Sequence, residues 1–128
     1  MKILVTGASG FLGISVATNL LNKGHEVVAV DLHLPEFKNQ IDVITGDLRD
    51  LNFCDSVMEG INVVIHLGAI PSPTDKRQYK VFANNVDSSF AVFSAAAEAK
   101  VEKVIYSSSV AIYGFSYSEK KSSQIIFQ

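Results

Sequence analysis

Lys2-Ile3-Leu4-Val5-Thr6-Gly7-Ala8-Ser9-Gly10-Phe11-Leu12-Gly13 is the stretch whose reading decides the fold of this 128-residue chain. A short apolar run ends in Thr-Gly, and glycines then recur at positions 7, 10 and 13. An apolar-periodic segment follows directly, so the pattern is strand, tight turn, helix. Gly7 lets the chain turn sharply, and the small residues 8–10 let backbone approach a ligand closely. Gly13, one turn into the helix, lets helix and strand pack together. The helix N-terminus aims its unpaired N–H groups and positive dipole end at the turn, where a pyrophosphate would sit. A Walker phosphate loop is excluded, because it needs Gly-Lys-Ser/Thr and this stretch has Gly13-Ile14-Ser15.

Outward from that turn the chain alternates strand and helix. Asn22-Lys23-Gly24-His25 reads as a helix end, and residues 26–30 as a β-branched strand closing at Asp31. Asp31 lies 18 residues beyond Gly13, near the position at which a dinucleotide fold places its ribose-binding acid. A carboxylate there accepts hydrogen bonds from ribose hydroxyls and repels a 2′-phosphate, favouring NAD over NADP. Residues 32–40 are too short for a helix with two turns. Residues 41–45 read as a third strand, followed by Gly46-Asp47-Leu48-Arg49-Asp50, with Asp50 able to cap a short helix over 51–58. Asp47 has two readings, an ordinary turn residue or an acceptor for the adenine amino group.

Residues 61–67, with the apolar core Val63-Val64-Ile65, read as a central parallel strand. It ends in His66-Leu67-Gly68-Ala69, small enough for backbone to approach a ligand. A histidine in a strand with no nearby acid reads as structural rather than as a general base. A long helix is expected over 76–100, with Phe82, Val86, Phe90, Phe93 and Ala97 at three- and four-residue spacings. Residues 101–107 are a fifth strand, passing into Ser107-Ser108-Ser109, whose hydroxyls would face the crevice at the carboxyl end of the sheet. The expectation is an α/β, Rossmann-like, doubly wound parallel sheet of about five strands, ordered 3-2-1-4-5 and truncated after strand five. Residues 1–114 form the nucleotide-binding domain, and residues 115–128 a short tail with no substrate domain.

Bulk properties exclude other classes. Nearly half the residues are apolar (48%), so the chain is not of the disordered class. A net charge of -2 without a basic run argues against nucleic acid. No apolar run is long enough to span a membrane, and the first residues enter a strand without a signal-peptide layout. The single Cys54 cannot form an internal disulfide and reads as a small buried residue, which suits the cytoplasm. The three histidines lie too far apart for a metal site, and none is expected.

Taken together, these stretches resemble the extended short-chain dehydrogenase/reductase family, in its NAD-dependent epimerase/dehydratase branch. The resemblance runs from residue 1 to about 117. It implies cofactor contacts from Gly7, Ser9, Gly10, Phe11, Leu12 and Gly13 in the turn, and from Asp31 at the ribose. Asp47 and Leu48 match the adenine-contact pair, and Leu67, Gly68 and Ala69 the motif after strand four, with Gly68 where Ala is usual. Asn85 matches an Asn that kinks the long helix, and Ser107 lies in the motif after strand five. The last hydroxyl of that motif, Ser109, is implied to be catalytic. In such oxidoreductases a Tyr phenolate, its pKa lowered by a Lys in Tyr-x-x-x-Lys, removes a proton from a substrate hydroxyl that the Ser orients. Tyr117 and Lys121 match that spacing literally, but only eight residues beyond Ser109 and without apolar periodicity, so they are not expected to act. The resemblance thus implies an NAD-binding half of an enzyme acting on a sugar nucleotide or sugar, not catalytically complete alone. The alternative is a non-catalytic NAD-binding or scaffold module. The open edge after strand five leads to an expected homo-oligomer.

Overall fold

The computed structural model describes residues 1–35, 41–71 and 78–109. Among the described residues eight elements follow one another: β1 (Lys2–Thr6), α1 (Phe11–Asn22), β2 (Glu26–Asp31), β3 (Val43–Thr45), α2 (Leu51–Val57), β4 (Val63–His66), α3 (Gln78–Glu98) and β5 (Lys103–Tyr106). All pairings are parallel, and the five strands stand in the order β3-β2-β1-β4-β5, as the sequence predicts. The tail 115–128, and with it Tyr117 and Lys121, lies outside the described residues.

Alternation along β1 explains the two cores. Leu4 faces α2 and α3 with Val30, Val64, Cys54, Met58, Val92 and Ala95. Ile3 and Val5 face α1 with Ala8, Ala17 and Ala29. A strand buried on both faces must be apolar at both parities, which is why the opening run reads without polar breaks.

Local chemistry sets the helix ends. The Asp50 carboxylate accepts the Asn52 N–H at 2.9 Å and the Phe53 N–H at 3.5 Å, capping α2 as expected. At the other end of α1, Gly24 donates to the Leu21 carbonyl and His25 to the Leu20 carbonyl, the paired bonds of a Schellman stop.

The long helix turns a different face inward from the one its large side chains mark. Ser88, Ala91, Val92, Ala95 and Ala96 are buried. Phe82, Val86, Phe90 and Phe93 are all exposed, Phe90 at 72%. Small residues let the helix close onto the sheet, so the large apolar stripe is left outside. All four residues of β5 are exposed as well.

Candidate nucleotide-binding site

The candidate site is built at the carboxyl ends of β1, β2 and β4, where chain order reverses on either side of β1. Crevices of open α/β sheets form at such a point. Gly7 takes φ +67°, and its turn is fixed by the Ala8 N–H on the Val30 carbonyl (3.1 Å) and the Gly10 N–H on the Gly7 carbonyl (3.1 Å). Gly13 is held against this turn. A Cβ built there would lie 2.0 Å from the Gly7 oxygen and 2.7 Å from the Ala8 Cα. The N-cap of α1 is Gly10, which brings no side chain to the orphan amides of the first turn. Phe11 and Leu12 are exposed there. A helix start with no protein acceptor in its first turn fits an anionic phosphate.

Asp31 closes the turn from the side. One carboxylate oxygen accepts the Ser9 N–H at 2.9 Å, and the other accepts the Leu32 N–H at 2.7 Å. The Ser9 hydroxyl donates to the His33 carbonyl at 2.6 Å. The glycine turn and the end of β2 are therefore one unit, with a carboxylate at its rim. Four acceptor positions on a carboxylate exceed the backbone donors that reach it here, so this acid has capacity for hydroxyl ligands.

Asp47 sits beyond β3 with both oxygens engaged by Arg49. The Arg49 N–H donates at 2.9 Å, and Nε lies 3.0 and 3.1 Å from the two oxygens. The Arg49 side chain holds the Asp47 carboxyl below the usual carboxylate range. Three Arg49 donors are the contacts of an ordinary turn residue, and a carboxylate with four acceptor positions keeps one for an adenine amino group. Leu48 is buried and forms the floor beneath Gly68, where a Cβ would lie 2.8 Å from the Leu48 Cδ1. Its carbonyl accepts the Cys54 thiol at 3.2 Å. Burial pushes that thiol up to about 11, so Cys54 is an inert core residue.

The exit of β4 meets the turn directly. A Cβ on Gly7 would lie 2.8 Å from the Gly68 nitrogen and from the Leu67 carbonyl. Asn85, reaching from α3, clamps the next residues: its Oδ1 accepts the Ile70 N–H at 2.8 Å and its Nδ2 donates to the Ile70 carbonyl at 3.1 Å. Ala69 is exposed beside this clamp. Past β5, the Ser107 N–H donates to the His66 carbonyl at 3.1 Å, and Ser107 and Ser109 are exposed.

The structure thus brings Gly7 to Gly13, Asp31 and Leu67 to Ala69 to one rim, with Asn85 supporting it and the serines one strand further out. Sequence reading missed Thr6 and Ser89, which hydrogen-bond to the buried His66 across 60 and 23 residues. No local spacing signals such pairs. Among the described residues there is no group of side chains able to hold a metal ion. No helix among them is long and apolar enough to cross a membrane.

Comparison with known proteins agrees with this geometry. The model of the NAD dependent epimerase/dehydratase family matches residues 3–125. A 3 beta-hydroxysteroid dehydrogenase/Delta 5-->4-isomerase of Mycobacterium tuberculosis is 34% identical over 116 residues, which cover 84% of this chain and 31% of that protein. A UDP-glucose 4-epimerase of Neisseria meningitidis serogroup C is 33% identical over 128 residues, covering 88% of this chain and 38% of the relative. Among solved structures, the UDP-glucose 4-epimerase of Bifidobacterium longum in complex with NAD+ and UDP superposes with a TM-score of 0.80 at 26% identity. That match covers 89% of this chain and 38% of the other. The chain therefore spans about a third of the length of these relatives.

Proposed function

This chain belongs to the NAD dependent epimerase/dehydratase family, and from that premise we propose that it is the NAD(H)-binding part of an epimerase- or dehydratase-type oxidoreductase. The observation that supports the reading is the bond from the Ser9 N–H to Asp31, which ties a carboxylate to the rim of a glycine turn whose helix has no side-chain cap. Bound NAD would supply the hydride acceptor of the reaction. Gly7, Ser9, Gly10, Phe11, Leu12 and Gly13 hold the pyrophosphate, Asp31 the adenosine ribose, and Asp47 with Leu48 the adenine edge. Leu67, Gly68, Ala69, Asn85 and Ser107 shape the nicotinamide side, and Ser109 orients a substrate hydroxyl. In this reading the cofactor domain is residues 1–114, with 115–128 a short tail. A sugar nucleotide is the proposed substrate class, on the likeness to the Neisseria and Bifidobacterium epimerases. The steroid named in the Mycobacterium relative is the competing class. A buried, inert thiol at Cys54 supports a reducing cytoplasmic setting.

Preference for NAD(H) over NADP(H) is the direct test. A 2′-phosphate facing Asp31 replaces a charged hydrogen bond by repulsion, a difference of roughly 1–3 kcal/mol. Titration of both cofactors should show NAD+ bound roughly five- to 150-fold more tightly. Asp31→Ala should erase most of that ratio. Equal affinities in the parent chain would remove the basis for the assignment.

The chain also pairs with itself in this reading. The outward stripe of α3, Phe82, Val86, Phe90 and Phe93, adjoins a groove of about 370 Å³ lined by Arg49, Leu51, Val86, Asp87, Phe90 and Ala91. The groove carries a cation and an acid beside its apolar wall, so a second copy related by a two-fold axis can set each opposite its complement. Sedimentation at micromolar concentration should give a dimer, and Phe90→Asp a monomer. Identical monomers from both chains would contradict it.

A further inference from the structure

His66 is the third-largest of the fully buried side chains, at 1% exposure, and it stands where the cofactor turn, β4 and α3 meet. Its Nδ1 lies 2.6 Å from the Thr6 hydroxyl, and its Nε2 lies 3.2 Å from the Ser89 hydroxyl. Neighbouring groups fix which nitrogen carries the proton. The Thr6 hydroxyl accepts the Gly68 N–H at 3.1 Å and the Leu67 N–H at 3.2 Å, the latter shared with the Thr6 carbonyl at 3.3 Å. A hydroxyl has two lone pairs and one hydrogen, so with both lone pairs engaged its hydrogen points to His66 Nδ1. Nδ1 is therefore the acceptor, and the proton resides on Nε2, which donates to Ser89. Ser89 in turn donates to the Asn85 carbonyl at 2.7 Å. The ring is packed between Phe93, edge-on at 5.8 Å, and Tyr106, stacked at 5.7 Å, and so cannot rotate freely.

We propose that His66 is a positioning residue of the nucleotide site, held as the Nε2–H tautomer so that Thr6 turns its lone pairs to the amides of Leu67 and Gly68 and fixes the exit of β4 against the Gly7 turn. Contact between the two segments is close enough for a Cβ on Gly7 to meet the Gly68 nitrogen at 2.8 Å. A shift of the β4 exit therefore displaces the turn itself. The chain of donors also reaches the Asn85 region of α3, so the segment leaving β4 is held at both ends. The inference rests on the nucleotide-binding reading for its functional consequence, and on the hydrogen-bond chain for its geometry.

Two measurements separate these. Nitrogen-15 resonances of His66 in the 128-residue chain at pH 7 should show a protonated Nε2 and a bare Nδ1. The opposite tautomer overturns the inference without any cofactor. Amide exchange at Gly68 should be protected in the parent chain and in His66→Asn, whose Oδ1 still accepts from Thr6. It should be fast in His66→Leu, which offers no acceptor. NAD+ affinity should follow the same order, with His66→Leu about tenfold weaker and His66→Asn within about threefold of the parent. Leu binding as tightly as the parent, or Asn failing with Leu, reduces His66 to core packing. A parent chain that binds no NAD+ sinks the proposed function, while the tautomer and the Gly68 exchange still decide the role of His66.

Discussion

Gly13→Ala is expected to cost the chain roughly 2 kcal/mol of stability and most of its NAD+ affinity. Two effects oppose each other at this position. Alanine in a helix interior is favoured over glycine by about 1 kcal/mol, so an open site would gain from the change. The site is closed. The new Cβ would lie 2.0 Å from the Gly7 oxygen, 2.7 Å from the Ala8 Cα and 2.8 Å from the Gly7 carbon, against ~3.5 Å for relaxed contact between carbons. All three atoms are backbone, so no rotamer change relieves them. Overpacking of this kind costs about 1–3 kcal/mol or more, and here it sits at the top of that range and outweighs propensity. Relief requires α1 to lift from the turn, which moves the amides that face the phosphate. Gly10→Ala is the graded control, because its Cβ meets one atom, the Gly7 oxygen, at 3.3 Å. Urea unfolding should lower the midpoint for Gly13→Ala with the slope unchanged, and much less for Gly10→Ala. An equal or raised midpoint for Gly13→Ala would show that the turn accommodates a side chain.

What could be read in advance divides along physical lines. The glycine turn, α1 at residues 11–22 and the strand order follow from local conformational demands and from the rule that parallel strands are apolar on both faces. The inward face of α3 did not follow. Spacing of large apolar residues finds a stripe, but it does not say whether that stripe meets the sheet or another body. Here the sheet is met by Ala91, Val92, Ala95 and Ala96, because mostly small residues let a 21-residue helix lie close over the sheet. Asp31 was legible because its distance from Gly13 is set by one strand–helix–strand unit. Thr6 and His66 were not legible as a pair, since their contact depends on β1 and β4 being neighbours in register, Thr6 opposite His66. Asp47 stays between its readings for a related reason: the partner that decides its local geometry, Arg49, is two residues away, whereas adenine is not part of the chain.

Acid should destabilise this fold through His66 alone by about 3 kcal/mol. Burial lowers its pKa from 6.5 to about 4, since a charged imidazole would lose water without gaining a counter-ion. The sign follows from proton counting. Above pH 6.5 the ring is neutral in both folded and unfolded chains, and its neutrality costs nothing. Between 6.5 and 4 the unfolded chain takes up a proton that the folded chain refuses, so stability falls by about 1.4 kcal/mol per pH unit as acid is added. Below 4 both states are protonated and the loss is complete. A 2.5-unit gap thus gives about 3 kcal/mol, a large part of the 5–15 kcal/mol typical of a domain. The hydrogen-bond chain opposes protonation in the same direction. A proton on Nδ1 would face the Thr6 hydroxyl hydrogen, which must then leave its acceptor, with the Gly68 and Leu67 amides competing for the same oxygen. The Asp47 carboxyl and its partner Arg49 lie outside this window, since Arg49 holds that carboxyl below its ordinary value. His66→Asn removes the imidazole while leaving those groups in place, so the comparison isolates His66. Urea unfolding at pH 7 and pH 4.5 should show the parent chain losing roughly 2–3 kcal/mol more than His66→Asn across that interval. If both chains lose the same amount, the folded chain takes up a proton at position 66 as readily as the unfolded one, and burial does not depress the pKa of the ring.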